Sequence, residues 1–452
     1  MKSRLLLAIL ACSVFSAHAQ DSLMLRRIAD TVLLHSPCYS NLRVLCKTIG
    51  KRISGSPQAA QAVIWGEKTM KETGADKVWL QPVDVPHWVR GKEKLRLKYG
   101  NSVYQDVTML SLGNSYGTNG KVVEAQVVMV HDQDELNSLP SGAVKGKIVF
   151  FNYRFRQDII NTFEGYGDAV KIRGSAATWA GKKGAVGAII RSISTGEDDI
   201  PHTGAIRKDS VNKIPSVAVG NLTANKMEQE YAKGKIMATI QSDCKMMPEP
   251  VRSYNVIGEI LGSEHPEQVI VVGGHLDSWD VGEGANDDGS GCVQSMEVLR
   301  AFKALGIRPK HTIRAVLFMN EENGMRGGLA YGDTAKAHNE QHILAIETDA
   351  GGFSPRGLGL EMPEAKKEKI RSFAPLFLPY GVYDFNQSEG GTDISPLAKL
   401  NVPLMGLLPD PQRYFDLHHT NNDVFENVNH RELKLGATTL AQIIYLVDEH
   451  GL

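Results

Sequence analysis

A chain of 452 residues, 42% hydrophobic and 22% charged, suits two globular cores or one large core with an insertion, and is too apolar to be disordered throughout. Lys plus Arg number 50 against 51 Asp plus Glu, a formal net charge of −1, which makes no electrostatic case for a nucleic-acid or acidic-membrane partner. Five cysteines in this length exclude a disulfide-built scaffold.

Residues 1–19 read as an export signal. Lys2 and Arg4 form a positive start, Leu5 to Ala11 an apolar stretch, and Ala17-His18-Ala19 the small residues a signal peptidase reads. The stretch is too short for a membrane span, which needs roughly 20 apolar residues. The expectation is a secreted or periplasmic chain beginning at Gln20, with lipoprotein attachment at Cys12 as the lesser alternative. Of the other cysteines, Cys38 and Cys46 are spaced to bridge a short loop, and buried free thiols fit equally well.

From Leu23 to Thr73 apolar residues recur at helical spacing, broken at Pro37 and at Ser54-Gly55-Ser56-Pro57. Lys77 to Pro82 and Leu95 to Tyr99 read as strands. Beyond residue 118 short β-branched runs alternate with glycines, as in Lys147-Ile148-Val149-Phe150-Phe151, Ala185 to Ile190 and Lys213 to Val219. A helix is expected around Ala176 to Lys183. After Pro248 and Pro250 come strands at Asn255 to Leu261, Val269 to Gly273, Arg314 to Met319 and Ile343 to Thr348, with helices at Cys292 to Leu305 and Gly327 to His338. Near-continuous apolar strands alternating with helices imply a doubly wound α/β fold, with a mixed, mostly parallel sheet covered by helices on both faces. The expected division is 20–117 plus 246–452 for this domain and 118–245 for an inserted α/β unit. The strand set of the first is complete without the second, so it is expected to fold alone.

Chemistry-bearing residues collect just after the strands, where such folds bind ligands. Val269 to Val272 runs into Gly273-Gly274-His275-Leu276-Asp277, and Asp287-Asp288 precedes a helix. Glu321-Glu322 and Asp349 follow two further strands, and His418-His419 lies near the C-terminus. Singly these are commonplace: a capping turn, a solvated Glu pair, a loop histidine. Four in succession at strand ends point to a metal site. Imidazoles and carboxylates without thiolate suit Zn²⁺, and less selectively Mn²⁺ or Co²⁺. More than four donors implies two ions sharing a carboxylate. Adjacent Glu321 and Glu322 point in different directions, so one can bind metal while the other serves as general base for a metal-activated water.

These residues resemble the co-catalytic zinc peptidases, which include bacterial aminopeptidases and glutamate carboxypeptidase, and most of all their carboxypeptidase Q branch. The likeness covers nearly all of the exported chain. It is carried by Tyr39-Ser40-Asn41-Leu42-Arg43, Arg52 to Ser56, Pro86 to Gly91, Gly274 to Gly282, Leu305 to Lys310 and Glu389-Gly390-Gly391-Thr392-Asp393. The inserted unit resembles a protease-associated domain through Lys145 to Val149 and Ile214 to Val217.

The resemblance implies two Zn²⁺ per chain, one on His275, Asp287 and Asp349, the other on Asp287, Glu322 and His419. Asp287 would bridge, Glu321 would be the base, and Asp277 would orient His275. His418 stands where many relatives carry an oxyanion-stabilising Tyr. The implied activity is hydrolysis of short peptides, dipeptides with free termini foremost. An aminopeptidase on longer peptides is the alternative, followed by an inactive binding module or a glutaminyl cyclase. Glu389 and Asp393 are candidates to pair with a substrate ammonium, and relatives suggest a homodimer.

Overall fold

The β-branched runs become the strands of two sheets. The structure, a computed structural model, describes residues 20–207 and 213–452. The expected export signal and Cys12 lie outside the described residues. Among those described, no helix is long and apolar enough to cross a membrane.

The first sheet has the order Lys77–Val85, Val251–Ile260, His311–Phe318, His265–His275, Gln341–Glu347, Leu404–Pro409, Pro355–Glu361. His311–Phe318, His265–His275, Gln341–Glu347 and Leu404–Pro409 run parallel. Antiparallel strands complete both edges. Val269 to Val272 is buried along its whole length, which explains why that strand shows no polar alternation. One face is covered by Ser290–Leu305 and His430–His450, whose apolar stripes pack on each other, and by Pro57–Glu72. Ser56 caps the last of these, accepting from Ala59 N–H, and Pro57 supplies the preset first turn. On the opposite face Arg326–Ala337 packs beside Ser395–Ala398, with Tyr331, Ala335 and Leu397 against Val271, Phe318 and Ala345. The expected architecture is therefore observed; the strands Pro355–Glu361 and Leu404–Pro409 and several helices, His430–His450 among them, lie beyond the sequence reading. Pro355–Glu361 carries two glycines and Leu404–Pro409 ends in proline, which obscured both, and Gly165, Gly167 and Gly174 obscured the first half of helix Thr162–Lys182.

The second sheet runs Gln105–Val107, Glu93–Tyr99, Ile236–Ser242, Val123–Val130, Ile148–Phe151, Gly187–Arg191, Ser216–Val219, Leu110–Ser111. Three of these strands precede residue 118, so the expected boundary there falls too late. Glu93–Tyr99 pairs antiparallel with Ile236–Ser242, a partner far away in sequence that no local pattern reveals. The chain enters and leaves the unit side by side, Asp243 N–H donating to Lys92 O at 2.8 Å. The described cysteines are all buried free thiols, so the Cys38–Cys46 bridge is not formed.

The two units share apolar contacts. Trp88 and Leu110 pack with Trp279 and Val281. Phe155, Ala169 and Ile193 of the second unit surround Tyr414 and Phe415 of the first. Phe415 is fully buried, its ring 5.0 Å from Phe163 and 5.1 Å from Tyr166. Arg90 adds a two-pronged bond to Asp280 at 2.9 and 2.6 Å.

These contacts argue against independent folding of the first unit. Deleting residues 118–245 removes the partners of Glu93–Tyr99 and Leu110–Ser111 and uncovers Phe415. The shortened chain is expected to be insoluble or to melt without cooperativity by circular dichroism; a soluble product with a sharp transition would show the units to be separable. A milder probe is Phe415→Ala, expected to lower stability by about 3–5 kcal/mol in urea unfolding.

Candidate metal centre

Each functional segment sits where the sheet ends. His275 terminates its strand, Glu321 and Glu322 follow His311–Phe318, and Asp349 follows Gln341–Glu347. Asp287 lies in the turn Ala285–Gly289 that leads into helix Ser290–Leu305. Parallel strands all deliver their carboxyl ends to one edge, which is why residues so far apart in sequence meet. Two glycines permit the close packing this requires. A Cβ on Gly274 would lie 2.3 Å from Asp288 Oδ2, and one on Gly291 would lie 1.9 Å from Thr348 O.

Asp287 is the centre of the arrangement. Its Oδ1 lies 3.0 Å from His275 Nε2, and its Oδ2 lies 3.1 Å from His419 Nε2. His275 Nε2 is also 3.4 Å from Asp349 Oδ1, and His419 Nε2 is 3.1 Å from Glu322 Oε2. Two trios thus share one carboxylate. Donors bonded at about 2.0–2.1 Å to one tetrahedral cation lie roughly 3.3 Å apart, close to these separations. Asp287 Oδ2 and Asp349 Oδ1 are buried and accept no hydrogen bond, although imidazole nitrogens are near. The donor set therefore fits divalent-cation binding, with compact donor groups at His275, Asp287 and Asp349 and at Asp287, His418 and His419.

Surrounding groups hold the trios. His275 Nδ1 lies 3.0 Å from the main-chain oxygen of Asp277 and 3.8 Å from its carboxylate. The expected orienting role thus falls to the Asp277 carbonyl, which selects the tautomer with Nε2 free for a metal. The Asp277 carboxylate instead accepts from the N–H groups of Asn320 and Glu321, at 2.6 and 3.1 Å, and so shapes the Glu321-Glu322 turn. Asp423 accepts from the N–H groups of Asn286 and Asp287 at 2.8 and 3.1 Å. Glu322 Oε1 accepts from Trp279 N–H. His419 sits at a left-handed φ of 63°, its carbonyl accepting from Thr203 N–H of the second unit at 3.0 Å.

Carboxylates outnumber imidazoles here. Burial and the nearby Asp287 push the Glu322 carboxyl well above its usual range. Burial, with Asp349 and Asp287 outweighing the pull of His275, pushes Glu321 up to about 8. Asp287 moves the other way, since the adjacent imidazoles of His275 and His419 overcome its burial. Burial would lower His275, but Asp349 and Asp287 hold it well above the usual imidazole range. Such crowding of like charge is what cations relieve.

The remaining candidates divide. His418 is buried, stacks on His419 with centroids 3.5 Å apart, and has Nε2 3.8 Å from Asp287 Oδ2. Burial and His419 drive it well below the usual imidazole range, so it is neutral. Glu389 lies on the wall of the cavity that opens over the trios, a space of about 570 Å³. Asp393 does not. It is 1% exposed, sits beside the Gly328 backbone and is absent from the cavity wall, so its expected pairing with a substrate ammonium is corrected. Sequence reasoning missed Tyr166 and Arg173, which helix Thr162–Lys182 of the second unit contributes to the cavity, and Tyr414. No motif marks them, because their position depends on how the two units pack.

Residues 255–444 match Peptidase family M28. Carboxypeptidase Q of Homo sapiens is 36% identical over 413 residues, which cover 91% of this chain and 85% of that protein. The chain belongs to peptidase family M28. A crystal structure of a Peptidase M28 precursor from Shewanella amazonensis SB2B matches with a TM-score of 0.90 at 30% identity, over 95% of this chain and 97% of that one. A zinc aminopeptidase from Bacillus subtilis shares the fold, with a TM-score of 0.67 at 20% identity over 92% of this chain and 96% of that one. This M28 chain is accordingly a metallo-exopeptidase.

For an M28 enzyme built this way, metal removal should be felt throughout the molecule. Chelator-stripped protein is expected to melt at a lower temperature and to recover with added zinc, since a ligand at a hundred times its Kd stabilises by about 2.7 kcal/mol. Asp287→Ala should abolish that recovery and the bound metal, measured by elemental analysis. Two tightly held ions in the variant would contradict a shared carboxylate.

Proposed function

We propose that this chain is an exported di-zinc exopeptidase that hydrolyses short peptides, dipeptides with free termini foremost. The observation that carries the reading is Asp287, one oxygen at His275 and the other at His419. His275, Asp287 and Asp349 would hold one ion, and Asp287, Glu322 and His419 the other. Zinc bound there supplies Lewis acidity and eases deprotonation of water. Glu321 lines the cavity outside both trios, placed to take a proton from the attacking water and return it to the departing amine. Positive charge at the trios offsets Asp349 and Asp287, the neighbours that raise Glu321, and so brings its carboxylate into use. Neutral His418, beside Asp287, has the N–H to steady a developing oxyanion.

A cavity of about 570 Å³ has the scale of a small ligand. Glu389 on its wall, raised by burial and by Asp349, is the carboxylate left to meet a substrate ammonium. The second unit forms part of the wall, and its resemblance to a protease-associated domain supports reading it as a specificity insert. A second reading, an aminopeptidase on longer peptides, is favoured by an adjoining space of about 260 Å³ that shares Phe163 and Glu389. Rates on alanyl-alanine against an aminoacyl anilide separate the two. Both trios and the base are complete, which argues against an inactive binding module.

Glu321→Gln is expected to retain its metal, by elemental analysis, and to lose about 10²–10⁴ in turnover; a metal-loaded variant of normal rate would place the base elsewhere. Glu389→Gln should impair cleavage of alanyl-alanine more than of its N-acetyl form. Equal losses on both substrates, or none, would remove Glu389 from amine recognition.

A further inference from the structure

We infer that Arg173, contributed by the second unit, is the residue that recognises the free carboxylate of the substrate, and so sets the register of a dipeptide across the metal trios. The inference rests on the exopeptidase reading and adds to it the group that selects the carboxyl end.

Arg173 is 5% exposed and lies on the cavity wall. Among the described residues it is the one Lys or Arg on that wall, which also carries Asp287, Glu321, Glu322, Asp349 and Glu389. Among the described residues no carboxylate pairs with it. Its Nη2 donates to Tyr166 OH at 2.9 Å, and its Nε is buried without a partner. Its Nη1 faces His419 Nδ1 at 3.4 Å, while the same Nδ1 faces Thr203 O at 3.4 Å. These two contacts need opposite tautomers. When His419 binds metal through Nε2, its Nδ1 carries the proton and turns to Thr203 O, and Nη1 of Arg173 is left facing a donor. The guanidinium then keeps one acceptor for five N–H groups.

A buried guanidinium so poorly partnered is costly unless an anion completes it. The site is also built to receive it. Gly204, at φ +129°, has its backbone so close that a Cβ would come within 2.3 Å of Arg173 Cζ. The flat fork is thereby held in place, presenting a geometry that matches a carboxylate. With Asp287, Asp349 and Glu322 in the trios and Glu321 as base, one carboxylate and one cation remain among the described residues of the wall. Glu389 suits an ammonium and Arg173 a carboxylate, which are the two ends of a zwitterionic dipeptide.

The test compares alanyl-alanine with alanyl-alanine amide, using wild type, Arg173→Gln and Arg173→Lys. The readout is the ratio of kcat/KM for acid over amide, which does not depend on the fraction of protein folded. Wild type is expected to prefer the acid, and Arg173→Gln to lose roughly 10²-fold on the acid, mostly through KM, with little change on the amide. Arg173→Lys should retain part of the preference. Equal loss on both substrates would overturn the proposal and assign Arg173 to the oxyanion or to support of His419. A wild type that cleaves acid and amide equally well also overturns it while leaving the exopeptidase reading intact, whereas a zinc-loaded wild type that cleaves neither overturns that reading as well.

Discussion

One carboxylate governs the centre of this molecule. Asp287 lies between two imidazoles that are 144 residues apart in the chain, at His275 and His419, and touches both within 3.1 Å. Its main-chain N–H is held by Asp423, and the turn it occupies opens the long helix that packs under the sheet. Around it the acids Asp349, Glu321 and Glu322 crowd onto one cavity wall. A site of that kind repels itself until positive charge enters, so structure and metal affinity are two sides of one electrostatic constraint.

The sheet makes that confinement possible. Parallel strands deliver their carboxyl ends to one edge, and glycines at 274 and 291 let helix, strand and turn approach within contact of each other. Apolar burial on both faces offsets the cost of gathering charge at the rim. Main-chain bonds do much of the fine positioning: the Asp277 carbonyl on His275, the N–H groups of Asn320 and Glu321 on the Asp277 carboxylate, and Thr203 N–H on the His419 carbonyl.

The second unit is part of the site as well as a neighbour to it. Phe163 and Tyr166 grip Phe415, just ahead of His418 and His419, and Arg173 reaches the His419 ring. The cavity wall and the position of His419 are in this way mechanically joined. A change in the second unit can alter either without touching an acidic residue.

What the sequence determined by itself was the chemistry and the sheet that presents it. Long apolar strands ending in His275, Glu321-Glu322 and Asp349 declare both a buried parallel sheet and its reactive edge, because residue type and strand position are local properties. Asp287 before a helix, and His418-His419, were legible for the same reason. Tertiary structure alone decided the rest. It moved the orienting bond on His275 from the Asp277 side chain to its carbonyl, took Asp393 off the cavity wall, and drew Glu93–Tyr99 into the second sheet through a distant partner. It also brought Tyr166, Arg173 and Tyr414 to the reacting groups. Those outcomes depend on pairings between remote segments and on the packing of one unit against the other, and neither leaves a periodic or compositional trace along the chain.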